Sequence, residues 1–153
     1  MSEGRHTLNT DGASLGNPGH GGAGAVLIGP GGDRVFGLGA YLGRATNNVA
    51  EYRGLILGLE KALELGVRRL DVIMDSELAV RQLSGAYRVA NPGLRPLYLK
   101  VKGLLAGFED YTVRHVLRAQ NAEADRLAGE AARLGKAGAL LPGALLPADR
   151  EAP

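Results

Sequence analysis

Four carboxylates stand at points of the sequence from which their side chains could meet. Asp11 follows an alternating apolar segment, and Asp75 follows the compact apolar segment Leu70–Met74. If these segments are neighbouring parallel strands, both carboxylates emerge at the same carboxyl edge of the sheet, where ligands bind in open α/β sheets. Glu51 and Asp125 lie in the first turns of two predicted helices, each beside the apolar face of its helix. The four carboxylates would then lie close together at this edge of the sheet.

A cluster of carboxylates favours a particular chemistry. Like charges raise each other's pKa unless a cation neutralises them, and oxygen ligands select hard cations such as Mg²⁺ or Mn²⁺. Two such ions about 4 Å apart activate a water and stabilise a leaving oxygen in phosphodiester cleavage. The chain has no cysteine and only three histidines, which lie far apart in the sequence. A cysteine-ligated metal is therefore excluded, and the histidines show no zinc-binding spacing.

Each carboxylate also has a structural interpretation. Asn48 and Glu51 fit a capping box, and Asp75-Ser76 can cap the helix that follows. Asp11-Gly12 is a common turn pair, and a carboxylate at position 125 is favoured near a helix start by the macrodipole. Any one of these explains one acid, but four acids converging by accident is far less expected. We therefore predict a metal site.

The stretch around Asp11 contains Gly19-x-Gly21-x-x-Gly24, which matches the dinucleotide-binding pattern. That pattern requires a strand before the glycines and a helix directly after them. Here the apolar run 25–28 follows and is ended by Gly29-Pro30, which is typical of a strand. No Gly-Lys-Ser/Thr motif is present either. The glycines therefore indicate a turn attached to a chemically active aspartate.

The apolar periodicity predicts the order βββαβααβα, an α/β fold with a mixed sheet and helices on its faces. The second and third strands are predicted to form an antiparallel hairpin. We expect one domain over residues 1–135 and a flexible tail or linker over residues 136–153, with a docking segment as the alternative. The predicted strands are 6–10, 23–28, 34–42, 70–75 and 111–116, and the predicted helices are 49–63, 76–83, 96–105 and 121–134.

The bulk composition narrows the class of protein. Hydrophobic residues make up 45% of the 153 residues and charged residues 22%, which is ordinary for a globular domain. No apolar run is long enough for a membrane span, and residues 1–6 do not have the character of a signal peptide. The absence of cysteine favours a reducing compartment, and the net charge of +2 mildly favours a polyanionic partner. We expect a cytoplasmic monomer.

Taken together, the motifs resemble those of the type 1 ribonuclease H family, over residues 7–134. The resemblance implies a ribonuclease H-like fold with a five-stranded mixed sheet flanked by helices. It implies hydrolysis of the RNA strand of RNA/DNA hybrids, with two divalent ions held by the four carboxylates, and substrate contacts at Gly12, Asn17, Thr46, Asn47 and Asn48. The matching residues are Thr10-Asp11-Gly12-Ala13-Ser14, Gly16-Asn17-Pro18-Gly19, Thr46-Asn47-Asn48, Ala50-Glu51, Asp75-Ser76, Asn121, Ala124-Asp125 and Leu127-Ala128.

The sequence departs from the family in two ways. Many members carry a histidine in a glycine-rich loop before the last helix, whereas residues 116–121 are short and contain none. His115 belongs to the preceding strand by alternation, so Arg118 is the candidate replacement, with a solvated surface arginine as the alternative. Many members also have a basic protrusion with tryptophans. This chain has no tryptophan and a short segment there, so hybrid binding is expected to be weaker or more sensitive to salt.

Two other functions stay open. A related nuclease that also cleaves double-stranded RNA would use the same four carboxylates. A catalytically silent module that binds hybrids is the second, although a pure binder would gain nothing from a costly carboxylate cluster.

Overall fold

The computed structural model describes residues 4–148. Its strands and α-helices follow the order βββαβααβαβ, with a 3-10 helix between the fifth strand and the last α-helix. The sequence analysis did not predict the 3-10 helix or the last strand. The strands are β1 (His6–Leu15), β2 (Gly19–Ile28), β3 (Arg34–Ala45), β4 (Arg69–Met74), β5 (Asp110–His115) and β6 (Leu145–Pro147). The helices are α1 (Asn47–Glu64), α2 (Glu77–Leu83), α3 (Arg95–Leu105) and α4 (Ala122–Lys136), with the 3-10 helix at Arg118–Asn121.

The strands form one mixed sheet in the order β5-β4-β1-β2-β3-β6. Strands β1, β2 and β3 are antiparallel, as the predicted hairpin required, whereas β1, β4 and β5 are parallel. Parallel pairing puts the carboxyl ends of β1 and β4 at one edge of the sheet. Asp11 does not end its strand as predicted, because β1 continues to Leu15 in its hairpin with β2 after its pairing with β4 stops at Asn9.

Helices cover both faces of the sheet. On one face, α1 packs its buried Tyr52, Leu55 and Leu59 against Leu8 of β1 and Val72 of β4 within the main core cluster. Each such large apolar side chain contributes about 1.5–3 kcal/mol when it is fully buried. On the other face, α4 lies over β1, β2 and β3. No helix within residues 4–148 is both long and apolar enough to cross a membrane.

The prediction of five strands is wrong because the sheet has a sixth. Leu145–Pro147 pairs antiparallel with Leu38–Ala40 and buries Leu146, which is 2% exposed. This strand lies in the segment that we predicted to be a flexible tail. Its prolines argue against a helix, but proline is compatible with an edge strand because one side of that strand needs no donors. Residues 149–153 of the predicted tail lie outside the described range.

The side chains that cap α1 and α2 are not the carboxylates of the predicted metal site. The Thr46 hydroxyl accepts a hydrogen bond from Val49 N at 3.2 Å and caps α1. The alternative interpretation of Asn48 and Glu51 as a capping box does not hold, because α1 begins two residues earlier than that box requires. Ser76 caps α2 in the same way and accepts from Ala79 N at 3.2 Å. Neither Glu51 nor Asp75 is needed as a helix cap.

Candidate active site

The backbone of α1 packs directly onto β1 beside Asp11. A Cβ atom at Gly12 would overlap the backbone of Ala50 and Glu51, and one at Gly54 would overlap the carbonyl of Asp11. Only glycine permits so close an approach of two backbones. The two glycines therefore set the distance between β1 and α1, and with it the position of Glu51 next to Asp11.

We predict that Gly12→Ala destabilises the protein by about 3 kcal/mol, the cost of overpacking at a site where backbone atoms must move. Urea denaturation followed by circular dichroism measures the change. Gly31→Ala is the matched control, because a Cβ atom there meets nothing within 4 Å. Equal stability of the two variants would contradict this explanation of how α1 is positioned.

A buried asparagine fastens the start of α4 to the same strand. Asn121 is 1% exposed, and its Nδ2 donates to Thr10 O at 2.8 Å. Asn9 Nδ2 donates in turn to Asn121 Oδ1 at 3.0 Å. Because a helix rises about 1.5 Å per residue, Asp125 lies only about one turn beyond this anchor. The anchor thus brings the carboxylate of Asp125 toward Asp11.

The four predicted carboxylates face one cleft of about 640 Å³. Asp11, Glu51 and Asp75 each offer an oxygen atom, and these oxygens all lie within 4.8 Å of one another. Asp125 lines the same cleft, where its two oxygens are 3.3 and 3.4 Å from Nη2 of Arg118. The structure therefore brings together three acids in a tight group and the fourth beside a guanidinium.

Burial and mutual repulsion alter the acidity of the innermost acids. Desolvation raises the pKa of Asp11 to about 7, and the nearby charge of Asp75 adds to the increase. Desolvation, followed by the charge of Asp11, raises the pKa of Glu51 to about 10. Without a cation, Glu51 holds the first proton and shares it with Asp11, and Asp11 Oδ1 also accepts from Gly12 N at 2.9 Å.

One oxygen of the cluster lacks a hydrogen-bond partner. Among the described residues, Oε2 of Glu51 is buried and accepts no hydrogen bond. A buried unpaired carboxylate oxygen is costly, whereas hard divalent cations take oxygen ligands from several carboxylates. This donor set of carboxylate oxygens therefore fits Mg²⁺ or Mn²⁺.

The residues predicted to contact substrate fall into two groups. Gly12, Asn47 and Asn48 line the cleft. Thr46 and Asn17 do not line it, but both support the start of α1, where Asn17 Oδ1 accepts a hydrogen bond from Asn47 N at 3.0 Å. His115 ends β5 with an exposed side chain and lies outside the cleft lining as well.

Sequence reasoning missed the far wall of the cleft. Arg126, Gly129 and Arg133 of α4 line the cleft together with residues 13–15 of β1. Residues 125, 129 and 133 recur every four positions, a spacing that places them on one face of a helix. That spacing from Asp125 is the signal that would have found this wall.

Comparisons with known proteins identify the family. A family model described as reverse transcriptase-like matches residues 9–131. Ribonuclease HI of Halobacterium salinarum is 46% identical over 121 residues, which are 79% of this chain and 61% of that protein. The crystal structure of that archaeal enzyme, RNase H1, superposes with a TM-score of 0.81 at 44% identity, covering 84% of this chain and 97% of the other. The chain belongs to the type 1 ribonuclease H family.

Two further solved structures match this chain. The N-terminal ribonuclease H domain of Rv2228c from Mycobacterium tuberculosis has a TM-score of 0.86 at 41% identity, covering 90% of this chain and all of that domain. LC11-RNase H1, solved in complex with an RNA/DNA hybrid, has a TM-score of 0.81 at 36% identity, covering 86% of this chain and 99% of the other. The chain spans about a third of the bifunctional protein Rv2228c, 34% of its length.

Proposed function

We propose that this ribonuclease H domain is a metal-dependent endonuclease that hydrolyses the RNA strand of RNA/DNA hybrids. The observation that carries the proposal is the group of Asp11, Glu51 and Asp75 oxygens within 4.8 Å, in an open cleft that Asp125 also lines. The hybrid as substrate is supported by LC11-RNase H1, which was solved with an RNA/DNA hybrid.

The four acids Asp11, Glu51, Asp75 and Asp125 would hold two Mg²⁺ or Mn²⁺ ions. When bound there, such cations supply an activated water and neutralise charge on the leaving oxygen. Asp11 and Glu51 are pressed between β1 and α1, so their oxygens are held without the rotational freedom of surface acids. Asp11 is buried, whereas Glu51, Asp75 and Asp125 are only partly buried. Asp11 is therefore the most deeply buried of the four acids.

Arg118 stands beside Asp125 with a side chain that is 79% exposed. It can turn from Asp125 to a phosphate without leaving the cleft, whose lining it shares with the acids. We propose that it stabilises phosphate charge during the reaction, the part that we assigned to it as a replacement for the missing histidine. A preorganised donor of this kind contributes more as charge develops in the transition state.

We predict that Arg118→Ala lowers kcat about a hundredfold, with an unchanged melting temperature because the side chain is 79% exposed. Arg118→Lys should recover part of the loss, since it keeps the charge but not the planar pair of donors. Single-turnover rates on a hybrid measure the effect. If Arg118→Ala cleaves the hybrid as fast as the wild-type protein, Arg118 is a solvated surface residue with no part in the reaction.

The substrate contacts are proposed at the start of α1 and on β1. Asn47 and Asn48 present amides to the cleft, and such groups can bind the RNA 2′-hydroxyl that distinguishes RNA from DNA. Gly12 brings the backbone of β1 to the same cleft wall. Asn17 and Thr46 complete the contact set that the family resemblance implies, and they hold the first turn of α1 in place.

Cleavage of three end-labelled duplexes tests the proposed substrate: an RNA/DNA hybrid, double-stranded RNA and double-stranded DNA. The proposal predicts that only the hybrid is cut. Comparable kcat/KM on double-stranded RNA would favour the broader nuclease. Binding of the hybrid without cleavage would favour the silent module and would contradict the proposal.

A further inference from the structure

One arginine of the cleft wall has no acidic partner. Arg126 is held by Glu123 at 2.6 Å and by Glu130 at 2.9 Å, and Arg118 is held by Asp125. Arg133 lines the same cleft and forms no ion pair with any residue of the described range 4–148. Of the three arginines in the cleft, it alone has a charge that no protein group balances.

A glycine makes room for this guanidinium inside α4. Glycine in a helix interior lowers helix stability by about 1 kcal/mol relative to alanine. The presence of Gly129 in α4 therefore calls for a structural explanation. A Cβ atom at position 129 would meet only Arg133, with Nη1 at 3.1 Å and Cζ at 3.9 Å. Long helical side chains point back toward the N-terminus, and Arg133 therefore lies over the turn that contains Gly129.

This arrangement places a free cation close to the acid cluster. Gly129 follows Asp125 by four residues, which is about 6 Å along the helix axis. Successive phosphates of one nucleic-acid strand are one nucleotide apart, which is a rise of about 3.4 Å along the axis of B-DNA and a longer distance along the winding backbone. A strand with one phosphate at the carboxylates would thus bring another within reach of Arg133.

The residues of β1 beyond Gly12 that line the cleft offer no competing charge for that phosphate. They are Ala13, Ser14 and Leu15, and the Ser14 hydroxyl donates a hydrogen bond to Ala45 O at 2.7 Å. The guanidinium is thus the one charged group on this part of the described cleft that is free to bind an anion.

We propose that Arg133, seated over Gly129, binds a phosphate of the RNA strand next to the one at the carboxylate cluster. This inference rests on the proposed function and adds a binding residue to it. Arg133 acts in holding substrate and not in the chemical step. Gly129 acts through Arg133, because it leaves the space that the guanidinium occupies.

Steady-state cleavage of a hybrid at several salt concentrations tests the inference in Arg133→Ala, Gly129→Ala and the double variant. We expect Arg133→Ala to raise KM about five- to tenfold, to leave kcat within about twofold, and to make the slope of log(kcat/KM) against log salt shallower by about 0.9, the value for one phosphate contact. Gly129→Ala should raise KM without lowering the melting temperature, because alanine favours the helix. It should add nothing in the Arg133→Ala background.

Arg68→Ala is the matched control, since it removes one exposed charge beside Glu109 at the opposite end of β4. If Arg133→Ala matches Arg68→Ala in KM and salt slope while the hybrid is still cut, the inference is overturned and the proposed function stands. A lower kcat with unchanged KM would overturn it too. A wild-type protein that neither binds nor cuts the hybrid would contradict both.

Discussion

Asp11→Asn is expected to remove nearly all hydrolysis while making the metal-free protein more stable. The variant loses a charged ligand at the centre of the cluster, and we expect kcat to fall about a thousandfold, which corresponds to about 4 kcal/mol. Folding improves because burial and the nearby charge of Asp75 both disfavour an ionised Asp11. Asparagine keeps the oxygen that accepts from Gly12 N but carries no charge.

Cleavage rates and urea denaturation in EDTA at pH 8 measure the two effects together. The free energy of unfolding should rise by about 1–3 kcal/mol, because a tenfold change in an acid's ionisation constant between the folded and unfolded states corresponds to about 1.4 kcal/mol. Asp33→Asn is the control, because it neutralises an exposed carboxylate in the turn between β2 and β3. Loss of activity together with loss of stability would mean that Asp11 is a structural residue.

Divalent metal is expected to reverse the pH dependence of stability. In EDTA the folded protein keeps protons on Asp11 and Glu51, whose pKa values are raised to about 7 and about 10. The unfolded chain releases the same protons near pH 4. Between those values the folded state binds more protons, so stability falls as the pH rises, by about 1.4 kcal/mol per pH unit for each proton concerned.

Millimolar Mg²⁺ or Mn²⁺ should raise the melting temperature, and the increase should be larger at pH 9 than at pH 6, because more of the carboxylates are then charged. Thermal scans with and without metal check this, with Asp11→Asn as the variant that should respond less. A metal-free protein that becomes more stable from pH 5 to pH 8, or no change in melting temperature with metal at either pH, would count against the cluster as a metal site.

The sequence was informative where chemistry and periodicity agreed. Asp75 lies at the edge reached by Asp11 because β4 pairs parallel with β1, the arrangement on which the predicted convergence of the two acids depended. The position of Asp125 near the cluster was predicted because Asn121 and Asp125 stand at the start of a helix that has an apolar face. Both acids stand at the end of a strand or the start of a helix, and such positions can be recognised from a short stretch of sequence.

The features that were missed depend on contacts between distant segments. The role of Gly12 is set by the backbone of α1, which is some forty residues away in the sequence. The strand β6 has only three residues and includes a proline, so its pairing with β3 is decided by an available sheet edge and not by its own pattern. Thr46 and not Asn48 is the cap because β3 ends at Ala45 and α1 begins at Asn47. The helix thus begins two residues earlier than the apolar periodicity indicated.

Cleavage of a hybrid that carries a different label on each strand is the decisive experiment for the proposed metal-dependent hydrolysis. The protein is stripped of metal with EDTA, assayed, and assayed again after excess Mg²⁺ is added. We predict no cleavage in EDTA, internal cuts in the RNA strand alone once Mg²⁺ is restored, and an intact DNA strand throughout. Cleavage that persists in EDTA, or an RNA strand that stays whole with Mg²⁺ present, would contradict the proposed function.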